Sequence, residues 1–196
     1  MNLEELLASR DARVAHQAQL LGEYPGMTLL CLTVILPGSV KRSEVSLKIA
    51  TAAVEAVRSS FSPLFEELRD LETGYEGYFM VDLSPVEAKL AAVALEDSHP
   101  LGRLFDLDVV VLKNSPFLRM SSPKQGGNPH FGPFFEDGTV LIPLGRQELG
   151  LPQRLCLLCG KPVRECMRTR AHTTEELLNK INEICTSTNS LETPGY

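Results

Sequence analysis

The chain has no apolar run approaching the roughly 18–20 residues that a membrane span requires. A basic-then-apolar leader is not expected either. The opening "MNLEELLASRDARV" is acidic and amphipathic, unlike a secretory signal, so a cytoplasmic location is expected. Positive charge is not in excess: the net charge of −6 argues against a whole-surface DNA binder, which needs a basic footprint. Tryptophan is absent, and the basic segments lack the interleaved aromatics that stack on bases. The five cysteines are an odd number and do not read as a disulfide framework. No internal repeat divides the chain.

What is present is ordinary for a globular protein: 43% apolar residues and 22% charged ones in 196 residues. That length fits one domain, expected over residues 1–185, with the small, polar residues 186–196 as a flexible tail. Charge is unevenly spread. Five Lys/Arg lie between Arg154 and His172 against the single Glu165, and Lys41, Arg42 and Lys48 form a second basic cluster. Local basic patches on an acidic protein suit a small anionic ligand better than a polymer.

Apolar residues from Leu3 to Leu21 recur at helical spacing, with a break expected near Ser9, and "YPG" ends the helix. "MTLLCLTVILPG" reads as a buried strand. From Ser43 a helix is expected that runs, interrupted at Pro63, to about Leu71. "GYEGYFMVDL" is a second strand, and Ser84-Pro85-Val86-Glu87 is a capping box that opens a helix to about Glu96. "LFDLDVVVL" and "GTVLIPL" read as further strands, and Thr173 to Glu176 as another capping box. The expected architecture is α+β: a mixed sheet of about four or more strands packed against helices, with a Cys-rich helical segment at the end. The two helical crossovers permit parallel neighbours.

Two constellations carry chemistry. In "EDSHPLGRLFDLDVV", residues two apart on a strand share a face, so Asp106 and Asp108 point together. Two close carboxylates repel unless a cation sits between them, and Mg²⁺ with a phosphate suits such a pair. Arg103 can grip a phosphate bidentately, Gly102 lets the backbone approach, and His99 is a candidate base or hydrogen-bond donor. The competing reading is a solvated strand face beside a plain turn. Further on, Cys156-x2-Cys159-x6-Cys166-x5-His172 has the ligand types of a tetrahedral zinc site, although its second spacing is irregular. A thiol redox pair, metal-free structural cysteines, and a basic substrate-binding segment built on Arg154, Arg164, Arg168 and Arg170 compete with zinc there.

Four stretches, "LLASRDARVAHQ", "TVILPGSVKRSEVS", "LEDSHPLGRLFDLDVV" and "GLPQRLCLLCGKPVRECMRTRAH", together resemble one family. It is the citrate lyase holo-[acyl-carrier protein] synthase family, also called apo-citrate lyase phosphoribosyl-dephospho-CoA transferase. The resemblance implies a nucleotidyltransferase-type reaction: a serine of the citrate lyase acyl-carrier (gamma) subunit attacks 2′-(5″-triphosphoribosyl)-3′-dephospho-CoA, and pyrophosphate leaves. It implies Asp106 and Asp108 as Mg²⁺ ligands, Arg103 and His99 as catalytic groups, and Lys41, Arg42, Ser43, Gly102, Arg146, Arg154, Arg168 and Arg170 as substrate-binding. No membrane or nucleic-acid partner is expected. The sequence departs from the family at residues 114–138, a Pro/Gly/Phe-rich stretch where a short turn is usual, and Arg146 stands in for the family arginine. Two other functions compete: an enzyme of the same shape acting on another nucleotide-like substrate, and a non-catalytic, zinc-stabilised module binding the carrier or a nucleic acid.

Overall fold

The structure, a computed structural model, describes residues 3–112 and 141–189. Chain order among the described residues is α1 (Leu3–Glu23), β1 (Thr28–Val34), α2 (Glu44–Phe61), β2 (Phe65–Leu71), β3 (Gly74–Val81), α3 (Pro85–Ser98), β4 (Phe105–Leu112), β5 (Leu141–Leu144), α4 (Val163–Thr169) and α5 (Thr174–Asn189). Short 3₁₀ turns cover Gly102–Leu104 and Gln147–Leu149. The α+β class is as expected, in a single domain. α1 runs unbroken through Ser9 and stops at the Tyr24-Pro25-Gly26 turn. No described helix is long and apolar enough to cross a membrane.

The sheet order is β2-β3-β1-β4-β5, and every adjacent pair is antiparallel. This corrects the expected mixed sheet, and the reason is topological. α2 joins β1 to β2 and α3 joins β3 to β4, and in each case the two joined strands do run parallel. A third strand is inserted between them, β3 in one case and β1 in the other, so no parallel pair touches. Both connections are split βαβ units.

The stretch expected to continue the second helix is instead strand β2. Ser62 takes a left-handed conformation (φ 45°), its N–H closing on Arg58 O, and Pro63 follows, so the helix ends at Phe61. "FEELRDL" spaces Phe65, Leu68 and Leu71 three apart, which is compatible with a helix, yet the stretch is extended. It pairs with β3 through the two-residue Glu72-Thr73 turn, and Gly74 adopts φ 117°. As an edge strand it is guarded by charge: Arg58 pairs with Glu66, Arg69 with Glu67, and Arg42 with Asp70.

Strand periodicity splits the sheet into two unlike faces. One face carries Leu30, Leu32, Phe79, Val81, Phe105, Leu107 and Val109, fully buried under α2, α3 and α5. The other carries Leu29, Cys31, Tyr78, Met80 and Val110, with Leu20 of α1 packed on them. Farther along this second face the residues turn polar: Thr33 pairs with Glu76 on one side and with Asp106 on the other, and Cys31 pairs with Asp108. The helix caps are as the sequence predicts. Ser84 and Glu87 cap α3 reciprocally, and Thr173 and Glu176 do the same before α5.

Candidate functional site

β4 places Asp106 and Asp108 on the polar face, with side chains 42% and 47% exposed, while Phe105, Leu107 and Val109 anchor the strand in the core. Among the described residues, β5 pairs with Val109–Leu112 and no strand flanks the start of β4 on that side. α3 finishes that edge with two buried charges. Glu96 Oε1 accepts the Leu107 N–H at 2.8 Å, and Lys89 Nζ donates to the Leu107 carbonyl at 2.9 Å. These side chains take the place of a neighbouring strand, which leaving Leu107 unpaired in the interior would otherwise require.

Both charges act on the aspartates. Lys89, 4% exposed, holds its ammonium 3.7 Å from Asp108 Oδ1. Glu96, 1% exposed, accepts from Arg146 at 2.6 Å, and Arg146 also binds Asp97. Burial pushes the Glu96 carboxyl up, with Arg154, Arg146 and the Leu107 amide opposing. Desolvation, then the neighbouring Asp106 charge, pushes Asp108 up to about 6, against the pull of Lys89.

Arg154 closes the other side. Its guanidinium donates to Asp106 Oδ1 at 3.0 Å and to the carbonyls of Gly102 and Phe105 at 3.0 and 2.6 Å. Arg103 returns the link by donating to Leu155 O. Gly102 is required for packing: a Cβ there would lie 2.3 Å from the Glu96 carbonyl. His99 is spent differently. Its Nδ1 accepts the Leu101 N–H at 3.1 Å and its ring packs against Phe105, on the helix-covered side of the sheet.

The remaining candidates divide. Ser43 caps α2 with Ser46, Lys41 donates to Leu36 O, and Arg42 pairs with Asp70; all three belong to the loop that leaves β1 at the Asp106 end of the sheet. Arg168 and Arg170 are exposed around the end of α4, in no contact with the aspartates that the structure records. Residues absent from the sequence reading complete the polar face. Arg13 of α1 binds Glu76 at 2.5 and 2.8 Å, Tyr78 donates to Glu76 at 2.5 Å, and Gln17 donates to Cys31 Sγ at 3.4 Å. Lys89 and Glu96 had one available signal: they are charges seven apart on the stripe of α3 that also holds Ala88, Ala92 and Val93.

The Cys-rich segment folds as a small hairpin, bridged between Leu155 and Pro162, followed by α4. Its donors come together: Cys156 Sγ, Cys159 Sγ, Cys166 Sγ and a His172 ring nitrogen all lie within 4.8 Å of one another. Cys159 Sγ is 3.4 Å from Cys166 Sγ and 3.3 Å from His172 Nε2. The Lys161 backbone N–H, then the His172 ring and Cys166, pull the Cys159 thiol down to about 6, while the Cys166 thiol is driven up by its contact with Cys159. Three sulfurs and an imidazole make a donor set suited to one tetrahedral metal ion. The expected loop at 114–138, with Phe131, Phe134 and Phe135, lies outside the described residues.

The family described as apo-citrate lyase phosphoribosyl-dephospho-CoA transferase matches residues 1–125 and 137–188. Residues 126–136, inside the expected departure, fall between the two matched stretches. The chain is 33% identical over 187 residues to the probable apo-citrate lyase phosphoribosyl-dephospho-CoA transferase of Streptococcus pyogenes serotype M18, covering 94% of this chain and 85% of that protein. It is 31% identical over 189 residues to the enzyme of that name from Escherichia coli O1:K1 / APEC, covering 94% and 88%. It is also 33% identical over 189 residues to Protein CitXG of Haemophilus influenzae, where it spans 35% of the longer protein. With a match that runs from α1 through the Asp-x-Asp strand and the Cys-His cluster, this chain belongs to the apo-citrate lyase phosphoribosyl-dephospho-CoA transferase family.

Proposed function

We propose that the protein transfers the phosphoribosyl-dephospho-CoA group from its triphosphate precursor to a serine of the citrate lyase acyl-carrier subunit, releasing pyrophosphate. Family membership supports the substrate and the partner. One structural observation supports the chemistry: two carboxylates share the open face of β4, at the sheet end where Arg103, Arg146, Arg154 and Lys89 are gathered.

The serine oxygen attacks the α-phosphorus of the precursor, the bond from that phosphorus to pyrophosphate breaks, and a phosphodiester joins carrier and cofactor arm. Asp106 and Asp108 fit Mg²⁺, because they face one way and, among the described residues, pair with one cation each, Arg154 or Lys89. That ion, when bound, supplies charge neutralisation on the triphosphate and its leaving group. Arg154 holds Asp106 in place and presents its charge at the site, and Lys89 keeps Asp108 facing the same way. Arg103 and Arg146 add positive potential where phosphoryl charge builds. His99 shapes the turn rather than taking the serine proton, since its Nδ1 is engaged by Leu101.

The test incubates the full chain with purified apo-carrier subunit, the triphosphate precursor and Mg²⁺, and weighs the carrier. A mass gain of one phosphoribosyl-dephospho-CoA is expected, slowed by roughly 100-fold or more in Asp106→Asn. Carrier binding without a mass change would sink the enzyme reading in favour of a non-catalytic module.

A further inference from the structure

The hairpin of residues 154–163 ties the Cys-His cluster to the aspartate face. Its first residue, Arg154, is the one that binds Asp106, Gly102 and Phe105. Its second, Leu155, accepts from Arg103. Its third, Cys156, is the first member of the cluster. Few forces hold this hairpin in shape. Its backbone bonds are Cys156 N to Lys161 O at 2.7 Å, Val163 N to Arg154 O at 2.9 Å and a long Gly160 N to Cys156 O at 3.4 Å; Leu157 packs on the edge of the core, but Leu155 and Leu158 are exposed. A two-stranded hairpin with so little apolar cover is at best marginal in water.

The sulfur geometry supplies what is missing. In a tetrahedral zinc site with Zn–S near 2.3 Å, neighbouring sulfurs are separated by about 3.8 Å. The observed donor set, all within 4.8 Å with contacts of 3.3 and 3.4 Å, closes around such a position. The backbone is arranged for thiolates as well: the N–H of Leu158 points at Cys156 Sγ at 3.5 Å, and that of Lys161 at Cys159. Gly160, at φ 69°, makes the turn that brings these amides round. A disulfide accounts for the cluster less well, since a Cys159–Cys166 bond would leave Cys156 and His172 converging on nothing.

We propose that Cys156, Cys159, Cys166 and His172 bind one Zn²⁺, and that this ion pins the 154–163 hairpin against the start of β4, fixing Arg154 on Asp106. The zinc is thus structural, and its ligands are positioning residues for the aspartate face. The inference stands on the hairpin's own contacts and does not require the transferase reading.

The experiment reads metal and local structure, not turnover. Elemental analysis of the full-length protein is expected to give about one zinc per chain, and Co²⁺ exchanged into the site is expected to give the visible bands of a tetrahedral thiolate complex. Less than about a tenth of an equivalent together with no Co²⁺ spectrum overturns the site. Zinc is then withdrawn with a chelator and amide exchange is followed by mass spectrometry. Faster exchange is expected in 154–163 and also in 102–106, with β1 and β3 unchanged. Faster exchange in the hairpin alone overturns the coupling to Asp106. Cys166→Ser, in which zinc loss and unchanged far-ultraviolet dichroism are expected, repeats the comparison without chelator. Should that variant fail to fold, the wild-type withdrawal still decides both points.

Discussion

Asp108 is the residue at which stability and proposed chemistry oppose each other. Its carboxyl is raised from 3.8 to about 6, by desolvation first and the Asp106 charge second. A carboxyl with a raised folded-state pKa binds its proton more tightly in the folded protein than in the unfolded chain. The resulting penalty is absent below about pH 3.8 and complete above about pH 6. Asp108→Asn removes it, so in metal-free protein the variant should be more stable at neutral pH by on the order of 1 kcal/mol, after discounting for solvent screening of a half-exposed group. Urea midpoints across pH check this: the gain must fade as the pH drops through 6 toward 4. A gain that persists in acid would mean the effect is not electrostatic. Lys89 gives the complementary case. Replacing it with Met strips the Leu107 carbonyl of its donor and should lower stability by about 1–3 kcal/mol, read from the same midpoints.

At the scale of elements, the turn between α3 and β4 is tightly determined. Gly102 sits against the last carbonyls of α3, and the Cβ of Gly102→Ala would meet Glu96 O at 2.3 Å. Backbone is the obstacle, so the turn itself must move, at a cost of about 1–3 kcal/mol. Because Arg154 donates to the Gly102 carbonyl, the displacement should also loosen the hairpin, which amide exchange in 154–163 measures. The sequence made some of this legible and hid the rest. Period-two alternation put Asp106 and Asp108 on one face, and the two Ser/Thr-x-x-Glu boxes marked the starts of α3 and α5. The strand β2 stayed hidden because "FEELRDL" spaces Phe65, Leu68 and Leu71 at helical intervals, while its strand form comes from pairing with β3 and from ion pairs. Lys89 and Glu96 stayed hidden for a different reason. Their role depends on β5 stopping at Val109, a tertiary fact that no local window contains. Arg154 is legible in the basic segment, but its pairing with Asp106 across 48 positions of sequence is tertiary in the same way.

At the scale of the whole sheet, the described residues cover its two faces unequally. α2, α3 and α5 bury one face continuously, whereas α1 covers the other through one apolar patch around Leu20 and then through polar contacts from Gln17 and Arg13. Local opening follows apolar contact, so α1 should exchange its amides at lower free energy than α2 or β1. Hydrogen exchange in native buffer checks the order, and equal protection of α1 and α2 would refute it. Leu20→Ala should widen the difference while costing about 2–5 kcal/mol globally.

The side chains that complete the edge of β4 also govern how this sheet can meet other chains. A bare strand edge invites a further strand, from another copy or from a partner's extended segment. Along the start of β4, Glu96 and Lys89 already occupy the donor and acceptor that an incoming strand would use, and on β5 Pro143 lacks an N–H to offer it. This flank is therefore closed to β-augmentation. A macromolecule that reaches Asp106 and Asp108 must come over the open face of the sheet, presenting side chains rather than backbone, and it can bring a folded helix or loop there without unravelling it.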